Sequence, residues 1–185
     1  MCKMEKTSHR GRIWVLLDQA GKLIEDIDTD QIFHNAFLHI TEISEMGQNA
    51  LGNLEGWKDF SAKARPGDIV VAGRNFGAGS SRQQAVDCFI ALKVGAILAP
   101  SFSSIYFRNA VNSGLPVLRC DGLDELANAR SLETGNEVEV DLLTGKGLNL
   151  SKNTSFAVEP MNAVQWEIFR EGNLFAFGRG FSRRS

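Results

Sequence analysis

Between Gly73 and Ala85 the chain reads GRNFGAGSSRQQA, the densest run of residues able to do chemistry. Gly73, Gly77 and Gly79 permit backbone conformations closed to other residues and let the chain approach a ligand closely. Ser80 and Ser81 supply adjacent hydroxyls, and Arg82 supplies a planar, permanently charged fork suited to a carboxylate or a phosphate. The segments RPGDIVVAG (65–73) and QQAVDCFIALKVG (83–95) flank it and read as a strand and a helix, with Gly95 as the stop. A helix start exposes unpaired N–H groups and a positive dipole end, which together attract anions. Two readings of the serines stay open. Ser80 and Ser81 are each followed three residues later by glutamine (Gln83, Gln84), so either can cap the helix. Alternatively, the serines and Arg82 line an anion pocket. A cation in the first helical turn is unfavourable for stability alone, which speaks for the pocket. The spacing lacks G-x-G-x-x-G, and no Gly-Lys-Ser/Thr occurs, so dinucleotide and Walker-type phosphate loops are excluded. Small di- or tricarboxylates fit two hydroxyls and one guanidinium better.

The surrounding chain must position this loop. RIWVLL (12–17) reads as a strand, and IEDIDTDQIF follows it, with Asp26, Asp28 and Asp30 in a turn-prone acidic stretch. From His34 to about Gly67 no clear period emerges; short helix is expected there, and a segment of this kind is usually functional or partner-facing. AILAP (96–100) and LPVLRC (115–120) are buried strands on either side of a helix over SFSSIYFRNAVNSG (101–114). Alternating strands and helices, with apolar strands throughout, specify a parallel sheet covered by helices. EVEVDLLTG (137–145) alternates and is expected to pair with LNLS and SFAVEP, and PMNAVQWEIFREGN (160–173) reads as a terminal amphipathic helix opening at Pro160. One α/β domain over residues 1–185 is expected, with 1–11 as a polar lead-in and 174–185 as an exposed basic tail.

The whole-chain composition narrows the function classes. Of 185 residues 43% are hydrophobic and 23% charged, and the net charge is −2, which favours neither nucleic acid nor an anionic membrane as partner. No apolar run reaches 18 residues, and the N-terminus lacks the apolar core of a signal peptide. Cys2, Cys88 and Cys120 are widely spaced. Such a set argues against a disulfide framework and against a zinc or iron–sulfur site built by this chain alone; reduced thiols in a cytosolic protein are expected, Cys88 and Cys120 being buried.

DIDTDQIF, GDIVVAGRNFGAGSSRQQA and SFSSIYFRNAVNSGLPVL occur in the order found in small subunits of the aconitase superfamily, and the sequence most resembles the isopropylmalate dehydratase type over residues 13–118. The resemblance implies a swivelling β/β/α domain that closes over a [4Fe–4S] cluster carried by a separate large subunit, in a heterodimer or heterotetramer. It implies loss and re-addition of water on a hydroxy di- or tricarboxylate in the cytoplasm. By resemblance Ser80 is the catalytic base and Asp30 the active-site aspartate, with Ser81 and Arg82 gripping substrate carboxylates. Asp28 and Thr29 either shape the turn or touch substrate. One position departs from the pattern: Ala36 stands where such subunits usually carry an arginine, so His34, Asn35 or His39 are the expected partial replacements for substrate contact and residues 35–44 the expected seat of specificity. Related dehydratases acting on homoaconitate, 2,3-dimethylmalate, citraconate or citrate, and a non-catalytic anion-binding domain on the same scaffold, are the alternatives.

Overall fold

The computed structural model describes residues 7–182. Seven strands form one mixed sheet in the order β4-β3-β2-β1-β5-β6-β7. β1 (Ser8–Val15), β2 (Ile69–Val71), β3 (Ala96–Ala99) and β4 (Val117–Arg119) run parallel. β5 (Glu137–Asp141), β6 (Lys146–Asn149) and β7 (Thr154–Ala157) form the expected antiparallel extension. β1 belongs to both halves. Its residues 13–15 pair with β2, and residues 8–12 pair with β5 in the opposite sense.

Eight α-helices are described. α1 (Thr29–Ile32), α2 (Ile43–Met46) and α3 (Phe60–Lys63) lie in the long connection between β1 and β2. α4 (Gln84–Ala91) and α5 (Ser104–Asn112) are the crossovers of the parallel half. α6 (Leu123–Asn128), α7 (Ala163–Glu171) and α8 (Leu174–Ser182) complete the chain. Two 3₁₀ turns, Asn35–Phe37 and Gly47–Asn49, fill out the irregular stretch.

The continuous apolar runs of β2 and β3 are explained by burial on both faces. Period-two alternation sends Trp14, Val70 and Ile97 into one core with Phe76, Phe89 and Tyr106, and sends Ile13, Val71 and Leu98 into another with Val138 and Val140. Cys88 lies in the first core and Cys120 in the second, both fully buried, as expected. Burial pushes the Cys120 thiol up to about 12 and raises Cys88 further still, so neither is a thiolate.

The boundaries correct several expectations. Residues 8–11 are the antiparallel half of β1, not lead-in; they pair with β5, a strand more than a hundred positions away. Residues 174–182 are helix α8 rather than tail. Met1 to Lys6, including Cys2, and the terminal Arg183, Arg184 and Ser185 lie outside the described residues. α7 opens at Asn162, whose side chain forms a capping box with Gln165, so Pro160 is upstream of it. Gly95 does not end α4. Lys93 takes the left-handed turn (φ 56°), and Gly95 instead leaves room for the ring of His9.

Candidate functional site

The site grows from two segments lying side by side. Asp28 is the N-cap of α1: its Oδ1 accepts from the backbone N–H groups of Asp30 (2.9 Å) and Gln31 (2.7 Å). Gln31 Oε1 in turn accepts from Asp28 N at 2.9 Å, which closes a capping box and starts a helix of only four residues. Asp28 thus shapes the turn, one of the two roles open to it. Beside this helix start runs the glycine loop. Gly77 N and Ala78 N both donate to Ile27 O, and Thr29 N donates to Ala78 O at 2.9 Å.

The loop needs its glycines for two different reasons. At Gly77 (φ 78°) a Cβ would fall inside the ring of Tyr106, so close approach as well as the left-handed backbone demands glycine. At Gly79 (φ 87°) a Cβ would meet only ordinary contacts, Thr29 Oγ1 at 3.6 Å and Asp28 Cβ at 3.8 Å, and there the positive φ alone is what glycine supplies. The turn at Gly79 brings Ser80, an exposed residue, back over α1 with its Oγ 3.2 Å from Thr29 Oγ1. Upstream, Asn75 also takes a left-handed conformation (φ 54°), pinned by Nδ2 donating to Asp26 Oδ1 at 2.7 Å and by its N–H donating to Ser101 Oγ at 2.8 Å.

Arg82 turns inward. Its side chain is only 14% exposed, and Nη1 donates to Asp30 Oδ1 (2.8 Å) and to the carbonyl of Phe33 (2.7 Å), with a longer contact to Thr29 O (3.4 Å). Asp30 is a hub: Oδ1 also accepts from Asn35 N at 2.9 Å, and Oδ2 accepts from Asn53 Nδ2 at 3.2 Å. The hydrogen bond from Arg82 holds the Asp30 carboxyl below the usual carboxylate range, with Asn35 N–H and His34 acting in the same direction against a smaller effect of burial. His34 caps the 3₁₀ turn Asn35–Phe37, its Nδ1 accepting from Ala36 N at 3.1 Å. An accepting Nδ1 puts the ring proton of the neutral imidazole on Nε2, which lies 3.9 Å from Asp30 Oδ2. The side chain of Asn35 is exposed on the same turn.

Ser80, Arg82, Asp30, His34 and Asn35, 52 positions apart at the extremes, are therefore brought to one face, with Ser81 exposed next to Ser80. Two local expectations are corrected. Neither serine caps α4: the cap is Gln83, with no side-chain hydrogen bond, and the helix opens at Gln84. Arg82 accordingly precedes the helix rather than sitting in its first turn, and the nearby carboxylate of Asp30 removes the electrostatic conflict. Asn53 and the Phe33 carbonyl were not legible in the sequence, because the contacts are made across an irregular connection. Thr29 had a signal, its place inside D-T-D, but no sign of which way its hydroxyl points.

Among the described residues no three His, Cys, Asp or Glu side chains are grouped to hold a metal ion, and the two described thiols are buried in separate cores. The described residues do not offer the donor set of a [4Fe–4S] cluster. No described helix is long and apolar enough to cross a membrane.

A strand–loop–helix bearing exposed hydroxyls beside an Arg–Asp pair, on a half-parallel sheet, has recognisable relatives. Residues 19–121 match the aconitase C-terminal domain family. The 3-isopropylmalate dehydratase small subunit of Caldicellulosiruptor saccharolyticus is 39% identical over 162 residues, covering 88% of this chain and 90% of the relative. The isopropylmalate/citramalate isomerase small subunit of Methanocaldococcus jannaschii is 34% identical over 168 residues, covering 91% and 92%. A crystal structure of 3-isopropylmalate dehydratase (leuD) from the same organism superposes with a TM-score of 0.81 at 29% identity, covering 95% of this chain and 96% of that one. The chain belongs to the aconitase C-terminal domain family, among the hydro-lyase small subunits of 3-isopropylmalate dehydratase type.

Proposed function

We propose that this chain works as the small subunit of a cytoplasmic, heteromeric 3-isopropylmalate dehydratase, or of a near relative such as the isopropylmalate/citramalate isomerase, completing its active site against a large subunit. The observation that carries this reading is the exposed Ser80 hydroxyl at the tip of a glycine turn, standing beside a permanently charged arginine. Ser80 Oγ takes the proton from the carbon next to a substrate carboxylate and returns it on the reverse reaction. Serine is a poor base unless its anion is stabilised, and a guanidinium and a neighbouring hydroxyl donor act in that direction. Ser81 Oγ and Arg82 receive the substrate carboxylate. Asp30 holds Arg82 in place, and its own carboxylate is kept ionised.

His34 presents an N–H and Asn35 an exposed amide where Ala36 removes the expected arginine, so the two supply hydrogen-bond donors to a substrate carboxylate or hydroxyl. The iron–sulfur cluster of the large subunit, when bound, supplies a Lewis acid for departure of the substrate hydroxyl. The test is reconstitution with a cluster-bearing large subunit of the same genome and assay on a panel of C4 to C7 hydroxy-diacids and tricarboxylates. Turnover of an isopropylmalate or citramalate, abolished by Ser80→Ala with the complex still assembled, is the expected result. Preference for homoaconitate or citrate would reassign the substrate. A Ser80→Ala complex with near-normal rates would remove Ser80 from the mechanism, and failure to bind any such large subunit would leave an anion-binding domain.

A further inference from the structure

Among the described residues Thr29 is the one buried hydroxyl that meets the exposed serine. It is 3% exposed, yet its Oγ1 lies 3.2 Å from Ser80 Oγ across 51 positions of sequence. Everything around it is fixed. Its N–H donates to Ala78 O at 2.9 Å, and its carbonyl accepts from Phe33 N at 3.0 Å and more weakly from Arg82. The capping box of Asp28 and Gln31 holds the residues on both sides of it. A β-branched side chain in a set backbone has few rotamers, so the hydroxyl position is determined as well. Ser80, in contrast, sits in an open turn, and Thr29 Oγ1 is its side-chain partner.

The geometry points to Thr29 as the positioning residue for Ser80: its hydroxyl selects one rotamer of the serine and donates to the oxygen once that oxygen has given up its proton. The assignment rests on the reading of Ser80 as the base. Thr29 is not a catalytic group itself, since it is buried beneath the serine and cannot touch a substrate. In the resting state either oxygen can be the donor. With the serine as an anion the direction is forced, Thr29 donating, and a bond to a charged acceptor is worth more than a neutral one.

Two isosteres separate the hydroxyl from the methyl. Thr29→Val keeps the shape and removes the oxygen; Thr29→Ser keeps the oxygen and removes the methyl. In the reconstituted complex Thr29→Val should lower kcat by about tenfold to a hundredfold, the loss expected for one hydrogen bond to an ionised group. KM should stay within about twofold, and Thr29→Ser should recover most of the rate, because the bond acts on the base and not on substrate binding. A Thr29→Val enzyme as fast as the native one, or a Thr29→Ser enzyme as slow as Thr29→Val, overturns the assignment. A second measurement does not depend on turnover. In the full chain, side-chain couplings from NMR should show a single Ser80 χ1 rotamer, retained in Thr29→Ser and averaged in Thr29→Val. An averaged Ser80 in the native chain overturns the assignment even if Ser80→Ala proves Ser80 to be the base. A single rotamer lost only in Thr29→Val upholds the positioning role even if Ser80→Ala stays active and the base lies elsewhere.

Discussion

Arg82 Nη1 donates to Asp30 Oδ1 at 2.8 Å, joining the loop after β2 to the helix that follows β1. The same nitrogen holds the Phe33 carbonyl, so the guanidinium proposed to bind a substrate carboxylate also fixes the segment carrying His34 and Asn35. Lysine can satisfy one of these partners as a point charge, but it cannot reproduce the fork. Arg82→Lys is expected to raise KM by roughly tenfold, equivalent to about 1.4 kcal/mol. It should also speed amide exchange at Asn35, whose N–H is bonded to the same carboxylate. Unchanged KM and unchanged exchange together would place the guanidinium outside the site.

The pair also dictates a pH dependence. Asp30 is held below the ordinary carboxylate range in the folded chain, so its ionised form favours folding. That contribution is fully present above the unfolded-state value of about 4 and is lost as the pH falls through the lower folded value. The difference in urea midpoint between native chain and Asp30→Asn should therefore be constant from pH 7 to about 5 and shrink towards pH 3. Equal differences at both ends would mean that the charge of Asp30 contributes nothing. The carboxylate is about one-third exposed, so the effect is modest and weakens with salt.

Gly77 and Gly21 have nearly the same backbone, φ 78° and 76°, but different surroundings. A Cβ at Gly77 enters the Tyr106 ring, whereas nothing lies within 4 Å of one at Gly21. Gly21→Ala should cost about 1–2 kcal/mol, the penalty of a left-handed alanine. Gly77→Ala should cost about 2–5 kcal/mol, because overpacking adds about 1–3 to that penalty. Thermal unfolding of the two variants checks this, and similar Tm losses would refute the close approach.

Asp28→Ala removes the acceptor for two backbone N–H groups and should destabilise the chain by about 1 kcal/mol. Its effect on turnover should exceed its effect on stability, since α1 carries both Thr29 and Asp30. A Tm loss with an unchanged kcat would mean that the cap serves only the fold.

Much of this was legible in the residues. The parallel half and its crossovers followed from apolar runs separated by helical patterns, and the hairpin strands from alternation at Glu137–Asp141. The glycine–serine loop and the D-T-D motif were both visible as candidates, and they lie side by side. The ends of elements were read less well. β1 runs back to Ser8 because β5 pairs with it, and α8 forms against α7, neither of which has a local signature. The serines of the loop carry a capping pattern, yet α4 opens three residues after the second of them. A pattern of residue types cannot say which of two compatible hydrogen-bonding partners a side chain takes.

By itself the sequence determined what chemistry is available: two adjacent hydroxyls, one arginine and an aspartate-rich turn, on a scaffold whose apolar periodicity demands a covered sheet. Types and spacings are local properties, and they survive without coordinates. Tertiary structure alone decided how those groups are used. It set Thr29 against Ser80 and aimed Arg82 at Asp30, across 51 and 52 positions. Such contacts depend on how β1 and β2 lie side by side and on where Gly77 and Gly79 turn the chain, and distances of a few ångströms between remote segments are set only by packing.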